Sequence, residues 1–337
     1  MWLFVAEAAL VSSLTVANIF ATLLHMVSQQ LREQIAELKE KLGAVIVAHN
    51  YQRPEVQDIA DFVGDSLELS RQCTRVDART IVFCGVRFMA EIAAILNPDR
   101  TVLLSEGSAG CPMADMISAA ELRKWKQRYP QASVVCYVNS SAETKAESYI
   151  CCTSANGVEI VESVPSDDIL FVPDQNLGHY ISTQSKKNIV LYPGFCYVHH
   201  RLKAEQVKRA KKLHPEAKVL VHPECRPEVI ALADAALSTS QMLRYAKASP
   251  NNSFIIGTEE GLLHRLRQEN PGKSFYLVSK SQVCTDMKKT TLETLARTMQ
   301  FSDNIITVPE EVRLKAKQAV DRMLAISYQT KSAEVAW

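Results

Sequence analysis

The sequence has no Cys-x-x-Cys pair, no Gly-x-Gly-x-x-Gly and no Walker A loop. The first absence removes the usual framework of structural zinc. The other two remove the common phosphate cradles of nucleotide-binding folds. Neither charge is in excess: 38 Lys+Arg face 37 Asp+Glu across 337 residues, a formal charge of +1. A protein built to grip a phosphate backbone carries a basic surplus, so nucleic acid is not the expected partner. No low-complexity linker interrupts the chain, and 47% hydrophobic with 22% charged residues is a globular composition that excludes disorder and collagen. The length predicts two or three domain-sized units. Nine cysteines, an odd number with no secretory leader, point to reduced thiols or metal ligands in a cytoplasmic protein before they point to disulfides.

The first thirty residues stand apart. From Ala8 to Leu31 no side chain is formally charged, a run long enough for a membrane span, but Ser12, Ser13, Thr15, Asn18 and Thr22 dilute it. The only early charge is Glu7, where a signal peptide needs a positive leading segment. Met26 opens a stretch that flows into an amphipathic helix with Val27, Leu31, Ile35, Leu38 and Leu42 at helical spacing. Residues 1–30 are therefore read as an extension or a mis-assigned start, and membrane attachment is not the expectation.

Beyond residue 43 short β-branched runs alternate with helical patterns, the signature of an α/β fold with mostly parallel strands. Three apolar runs end in polar residues: Val45–Asn50, Val134–Asn139 and Val219–Glu224. About fifteen residues after each come Asp65-Ser66, Thr153-Ser154 and Ser238-Thr239, each placed ahead of a helical pattern. Second strands begin near Ile81, Ile169 and Phe254, and third strands fall at Thr101–Ser105, Asn188–Tyr192 and Ser274–Val278. Each unit then closes on a cysteine. Counted from Asn50, Asn139 and Glu224, Cys111, Cys196 and Cys284 lie 61, 57 and 60 residues on. The expected architecture is three αβα-layered units around a pseudo-threefold axis, spanning 31–110, 111–195 and 196–284, with the helices of 285–327 packing back on the first unit. Thr290-Thr-Leu-Glu293 has capping-box form for the first of those helices, and Thr307-Val-Pro-Glu310 for the last.

If all three units point their strand C-termini inward, the edge where open parallel sheets bind ligands, three cysteines converge. Three thiolates suit a [4Fe–4S] cluster with one iron left free of protein ligand, able to act as a Lewis acid. Cys73, Cys84 and Cys136 sit in apolar patterns and read as core, Cys151 and Cys152 diverge because they are adjacent, and Cys225 also reads as core. Ser66, Ser154 and Thr239, read as helix starts, suit carboxylate or phosphate groups. Glu224 with His222 beside it resembles a general base with an orienting partner. His49, Tyr51, Tyr137 and Asn139 are placed to bind or protonate an oxyanion. His199 and His200, just after Cys196, are read as second-rank or plain surface residues.

These residues carry a resemblance. Ala48-His-Asn-Tyr-Gln52, Asp58–Ser66, Gly110-Cys-Pro-Met113, Tyr137-Val-Asn139, Cys152–Asn156, Val221-His-Pro-Glu-Cys225 and Cys284–Lys289 are similar to the segments of the quinolinate synthase family of de novo NAD biosynthesis, over about residues 31–327. The resemblance implies one central [4Fe–4S] cluster per chain on Cys111, Cys196 and Cys284. It implies condensation of iminoaspartate with dihydroxyacetone phosphate to quinolinate, with loss of phosphate and two waters. It also implies substrate contacts from His49, Tyr137, Val138, Asn139, His222, Pro223 and Glu224, with Glu224 as the acid–base residue assisted by Tyr51, His49 and His222, and Ser66, Ser154 and Thr239 as anion anchors. Leu237 stands where a glycine is commoner, which leaves the choice between Ser238 and Thr239 open. An L-aspartate oxidase that supplies the iminoaspartate is the implied functional partner. The rival readings are a three-cysteine enzyme of the diphthamide-synthesis kind and a non-catalytic iron–sulfur carrier.

Overall fold

The computed structural model describes residues 26–331. Most of the stretch read as an extension, residues 1–25, lies outside the described residues. A helix over residues 26–42 opens the described chain. Ile35 is buried in it and Leu31, Leu38 and Leu42 pack beside it, whereas Val27, expected on the same stripe, is exposed.

Three four-stranded sheets follow. The first is β1 (Ala44–His49), β2 (Phe62–Gly64), β3 (Thr80–Cys84) and β4 (Thr101–Leu104). The second is β5 (Ser133–Tyr137), β6 (Ile150–Cys152), β7 (Asp168–Val172) and β8 (Asn188–Leu191), and the third is β9 (Lys218–Val221), β10 (Ala235–Ala236), β11 (Ser253–Gly257) and β12 (Ser274–Leu277). All pairings are parallel, and the order is the same each time: β2-β1-β3-β4, β6-β5-β7-β8, β10-β9-β11-β12. The first and third sheets are apolar on both faces, as a parallel sheet sandwiched by helices requires. Sequence pattern finds three strands per unit and misses β2, β6 and β10. Those are edge strands of two or three residues, too short to show a period.

Register fixes which residues are equivalent. Ala48 pairs Cys84, Cys136 pairs Val172 and Val221 pairs Gly257. One residue further on stand His49, Tyr137 and His222, and three further on stand Tyr51, Asn139 and Glu224. The unit-1 counterpart of Asn139 and Glu224 is thus Tyr51 rather than Asn50.

The C-terminal helices divide their attachment. Helix Leu292–Phe301 buries Leu292, Leu295, Ala296 and Met299 against Ile46, Ala48, Val82 and Leu103 of the first sheet. Its capping box is Thr291 with Thr294, one residue later than the sequence pattern indicates. The last helix, Glu310–Lys331, departs from the expectation. It lies mainly on the helix Ala142–Ala146 and on β6 of the second sheet, and meets the first unit through the helix Arg87–Leu96. Ala316 is fully buried between Ile95 and Ala142, so this helix joins units 1 and 2. Ala316→Leu should therefore overpack that junction and cost about 1–3 kcal/mol, read as a lower midpoint in chemical denaturation. Unchanged stability would mean that the helix is not seated there.

Among the described residues no helix is long and apolar enough to cross a membrane.

Candidate active site

One cavity is walled by residues from all three units. His49, Tyr51 and Ser66 come from the first and Cys111 from the loop just after it, Tyr137, Asn139 and Ser154 from the second with Cys196 just after it, and His222, Glu224, Thr239 and Cys284 from the third. Val86, Phe88, Met89, Met113 and Met287 make the apolar part of the wall. Val138 and Pro223, expected to touch substrate, do not line it. Both sit at the position between the two cavity-facing residues of their unit, where strand alternation sends the chain's other face away from the site. The Val138 N–H is spent on the Cys152 carbonyl (2.9 Å).

Glu224 is the centre of the polar wall. Its carboxylate accepts from the Tyr137 hydroxyl on Oε1 (2.6 Å) and from His199 Nδ1–H on Oε2 (2.6 Å). Burial opposes its ionisation, but His222, His199 and the two hydrogen bonds outweigh burial and hold its pKa at about 2. Its orienting partner is therefore His199, which sequence reasoning set aside; His222 Nδ1 stands 3.5 Å from Oε2. Nothing in the pattern around His199 marks it as buried, yet it is almost fully so. The available signal was spacing, because three residues on one helical turn bring it back over Cys196, whose Sγ lies 3.2 Å from Nδ1. The other His199 nitrogen meets Thr258 Oγ1 (2.9 Å), which in turn meets the Tyr51 hydroxyl (2.5 Å). A continuous hydrogen-bonded chain thus runs Tyr51–Thr258–His199–Glu224–Tyr137.

The two other histidines have a different character. The Tyr51 N–H donates to His49 Nδ1 (3.2 Å), and the Glu224 N–H donates to His222 Nδ1 (3.3 Å). A ring nitrogen that accepts a backbone N–H carries no proton, so Nε2–H is the tautomer in both rings. Burial lowers both pKa values to about 3, and at neutral pH each ring is an uncharged donor. His222 Nε2–H points at Ser154 Oγ (3.1 Å). Burial and the Glu224 carboxylate push the Tyr51 and Tyr137 hydroxyls well above their ordinary pKa, so both keep their protons. Asn139 lines the cavity, and its Oδ1 is buried without a hydrogen-bond partner among the described residues.

The helix-start set is less regular than expected. Ser66 opens helix Ser66–Cys73 behind its N-cap Asp65, and Thr239 opens helix Thr239–Ala248 behind its N-cap Ser238. Ser154 instead lies in a turn three residues ahead of helix Gly157–Ser163. Ser238 is occupied by capping, accepting from the Gln241 N–H and donating to Asp65 Oδ2 (3.3 Å), and it is Thr239 that reaches the cavity.

The three cysteines are free thiols and the only cysteines that line the cavity among the described residues. The other six are buried elsewhere, in keeping with their reading as core. Burial pushes the Cys111 thiol up to about 12, with Cys284 and Glu224 adding to the rise; burial, Glu224, Cys111 and Cys284 raise Cys196; burial above all raises Cys284. Two of their loops are pinned from behind: the Cys196 N–H donates to Asp174 Oδ2 (3.0 Å) and the Cys284 N–H to Glu259 Oε1 (3.1 Å). Donor atoms of Cys196, His199 and Glu224 also lie within 4.8 Å of one another, a grouping able to hold a metal ion.

The tautomer assignment can be measured directly. In metal-free protein, nitrogen NMR should show His49 and His222 as Nε2–H imidazoles that remain neutral from pH 7 down towards about pH 4. Titration of either ring near 6.5 would contradict the assignment. Because the unfolded chain binds those protons below pH 6.5 and the folded chain does not, stability should decline as pH falls through that interval.

The sequence profile of the quinolinate synthetase A protein family matches residues 33–325. A quinolinate synthase of Thermodesulfovibrio yellowstonii is 57% identical over 295 residues, covering 87% of this chain and 97% of its own. One from Dehalococcoides mccartyi is 56% identical over 302 residues, 90% of this chain and 100% of its own, and one from Methanosarcina barkeri is 54% identical over 301 residues, 89% and 99%. With a match that spans all three sheets and relatives that are enzymes, the chain belongs to the quinolinate synthetase A protein family.

Proposed function

We propose that the protein is a quinolinate synthase that joins iminoaspartate to dihydroxyacetone phosphate and releases phosphate and two waters, with one [4Fe–4S] cluster per chain held by Cys111, Cys196 and Cys284. The observation that carries this reading is the convergence of three cysteines, one from the loop that follows each sheet, on a cavity where the Glu224 carboxylate is held ionised. The donor set fits the cofactor. Burial, with a smaller contribution from the neighbouring cysteines, keeps these thiols protonated, and a cation held among them would stabilise the thiolates and release their protons. His199 and Glu224 fit a metal less well, because the atoms they would offer are hydrogen-bonded to each other at 2.6 Å. When bound, the cluster supplies a Lewis-acidic iron not held by a protein thiolate.

The side chains supply the rest. His49 and His222, neutral and presenting Nε2–H, donate to carbonyl, hydroxyl or carboxylate oxygens without adding charge. The Ser66 and Thr239 hydroxyls serve the carboxylate and phosphate groups, and the unpaired Asn139 carbonyl takes a substrate N–H or O–H. Glu224 is the base: its carboxylate takes the proton lost from carbon or nitrogen as the new ring bonds form and returns it to a departing oxygen. Tyr137 and His199 hold it ionised until then, and the donors of the chain from Tyr51 through Thr258 and His199 all point towards it, a path that can deliver a proton to the carboxylate. The apolar Val86, Phe88 and Met113 side keeps bulk water from the reacting atoms and strengthens each of these interactions. A carrier of clusters needs none of this acid–base equipment. Iminoaspartate is unstable in water, so an L-aspartate oxidase in the same cytoplasmic compartment is the partner that fits its supply.

Glu224→Gln keeps the shape and the acceptor for Tyr137 but cannot take a proton. In anaerobically prepared protein it should lower quinolinate formation from iminoaspartate and dihydroxyacetone phosphate by roughly 100-fold or more, with iron content unchanged. Full activity in that variant would overturn the assignment of Glu224, and no quinolinate from the iron-loaded wild type would overturn the function.

A further inference from the structure

Asn50 occupies the position that Val138 and Pro223 hold in the other two units, the one turned away from the cavity. There its side chain is fully buried and makes two contacts. Its Nδ2 lies 2.9 Å from Thr239 Oγ1, and its Oδ1 lies 2.8 Å from Arg265 Nη1, which also donates to the Val63 carbonyl (2.9 Å). These contacts cross from the first unit to the third.

A guanidinium has only donors, so Arg265 settles which end of the amide is which: the oxygen faces Arg265 and the nitrogen faces Thr239. Thr239 therefore accepts from Asn50. Among the described residues that is the one hydrogen bond of its hydroxyl oxygen, and the hydroxyl proton is left for the cavity, whose wall includes Thr239. Had the second-unit residue Val138 stood here, the hydroxyl would be free to turn inwards. With an acceptor in place of Asn50 it would be drawn away from the ligand altogether.

We propose that Asn50, oriented by Arg265, is a positioning residue that fixes the Thr239 hydroxyl as a donor towards an anionic oxygen of the bound molecule. This rests on the quinolinate synthase reading for the identity of that molecule, a carboxylate or phosphate. Asn50 touches no substrate and acts through Thr239 alone. It also explains why Thr239 rather than Ser238 serves the site: Ser238 spends its proton on Asp65, whereas Thr239 is prevented from spending its own.

Asn50→Asp tests this by reversing one hydrogen bond at constant shape. The new carboxylate keeps Arg265 as its partner, but it can only accept, so the Thr239 proton turns towards it. On iron-loaded protein, affinities for quinolinate and for inorganic phosphate are measured by calorimetry in wild type, N50D, T239V and the double variant. N50D should weaken at least one of the two ligands about tenfold or more, the size of a lost hydrogen bond to a charged group, with KM raised more than kcat is lowered. In the T239V background, where no hydroxyl remains to be turned, N50D should change affinity by less than about twofold. An equal loss in both backgrounds would mean that the carboxylate acts through its charge and not through Thr239, which overturns the inference. So would unchanged affinity in N50D. If N50D does not accumulate as folded protein, Arg265→Lys replaces it in the same cycle, because lysine keeps the charge but loses the fork that reaches both Asn50 and Val63. Wild type that binds neither probe and forms no quinolinate would instead sink the functional reading, an outcome distinct from failure of the cycle alone.

Discussion

In an extended strand the side chains alternate between faces, and a chain leaving the strand end keeps that alternation for a few residues. β1, β5 and β9 are each the second strand of a sheet with the same order, paired in the same register to a central neighbour. The first and third residues past the equivalent points, His49 and Tyr51, Tyr137 and Asn139, His222 and Glu224, therefore all face the shared cavity. The intervening Asn50, Val138 and Pro223 do not. A one-residue slip in any of the three registers would exchange the two sets, putting Asn50, Val138 or Pro223 where the cavity-facing residues stand. Positions of the cysteines follow from the same constraint, since the loops that carry Cys196 and Cys284 are tied to Asp174 and Glu259, each two residues past the neighbouring strand's equivalent point.

The resulting wall is unequal in charge by design of its hydrogen bonds. Backbone N–H groups hold two histidines in their neutral, donating tautomer. Burial keeps two tyrosines protonated, and two donors keep one carboxylate ionised. In a low-dielectric site each of these choices is worth far more than in water, because the alternative protonation state would leave an unpaired charge or an unpaired donor. Glu224 is thus an ionised base set beside neutral donors that add no charge of their own.

Much of this was legible in the sequence, because a repeat exposes positions that a single copy conceals. The three cysteines, Glu224, His222, Thr239 and the pair Tyr137 and Asn139 could each be found by comparing units, and all line the cavity. His199 could not be found that way: its unit-1 and unit-3 counterparts after Cys111 and Cys284 are not histidines, and a short helix of four residues shows no amphipathic period. Val138 and Pro223 share motifs with cavity residues because motifs run along the chain, while the site samples every second residue. Asn50 ends its apolar run as Asn139 and Glu224 end theirs, yet register makes Tyr51 their counterpart. The last helix meets the second unit as well as the expected first, because a stripe of Ala316, Ala319, Val320 and Met323 says that a face is buried without saying against what.

The convergence of three thiols from three sheets is the claim on which the chemistry depends, and the direct measurement is iron and acid-labile sulfide per chain, with the visible spectrum, on protein prepared without oxygen. About four of each, lost in Cys111→Ala, Cys196→Ala and Cys284→Ala alike but retained in Cys225→Ala, is the predicted result. Colourless protein that takes up no iron on anaerobic reconstitution, or zinc held in its place, would contradict the account.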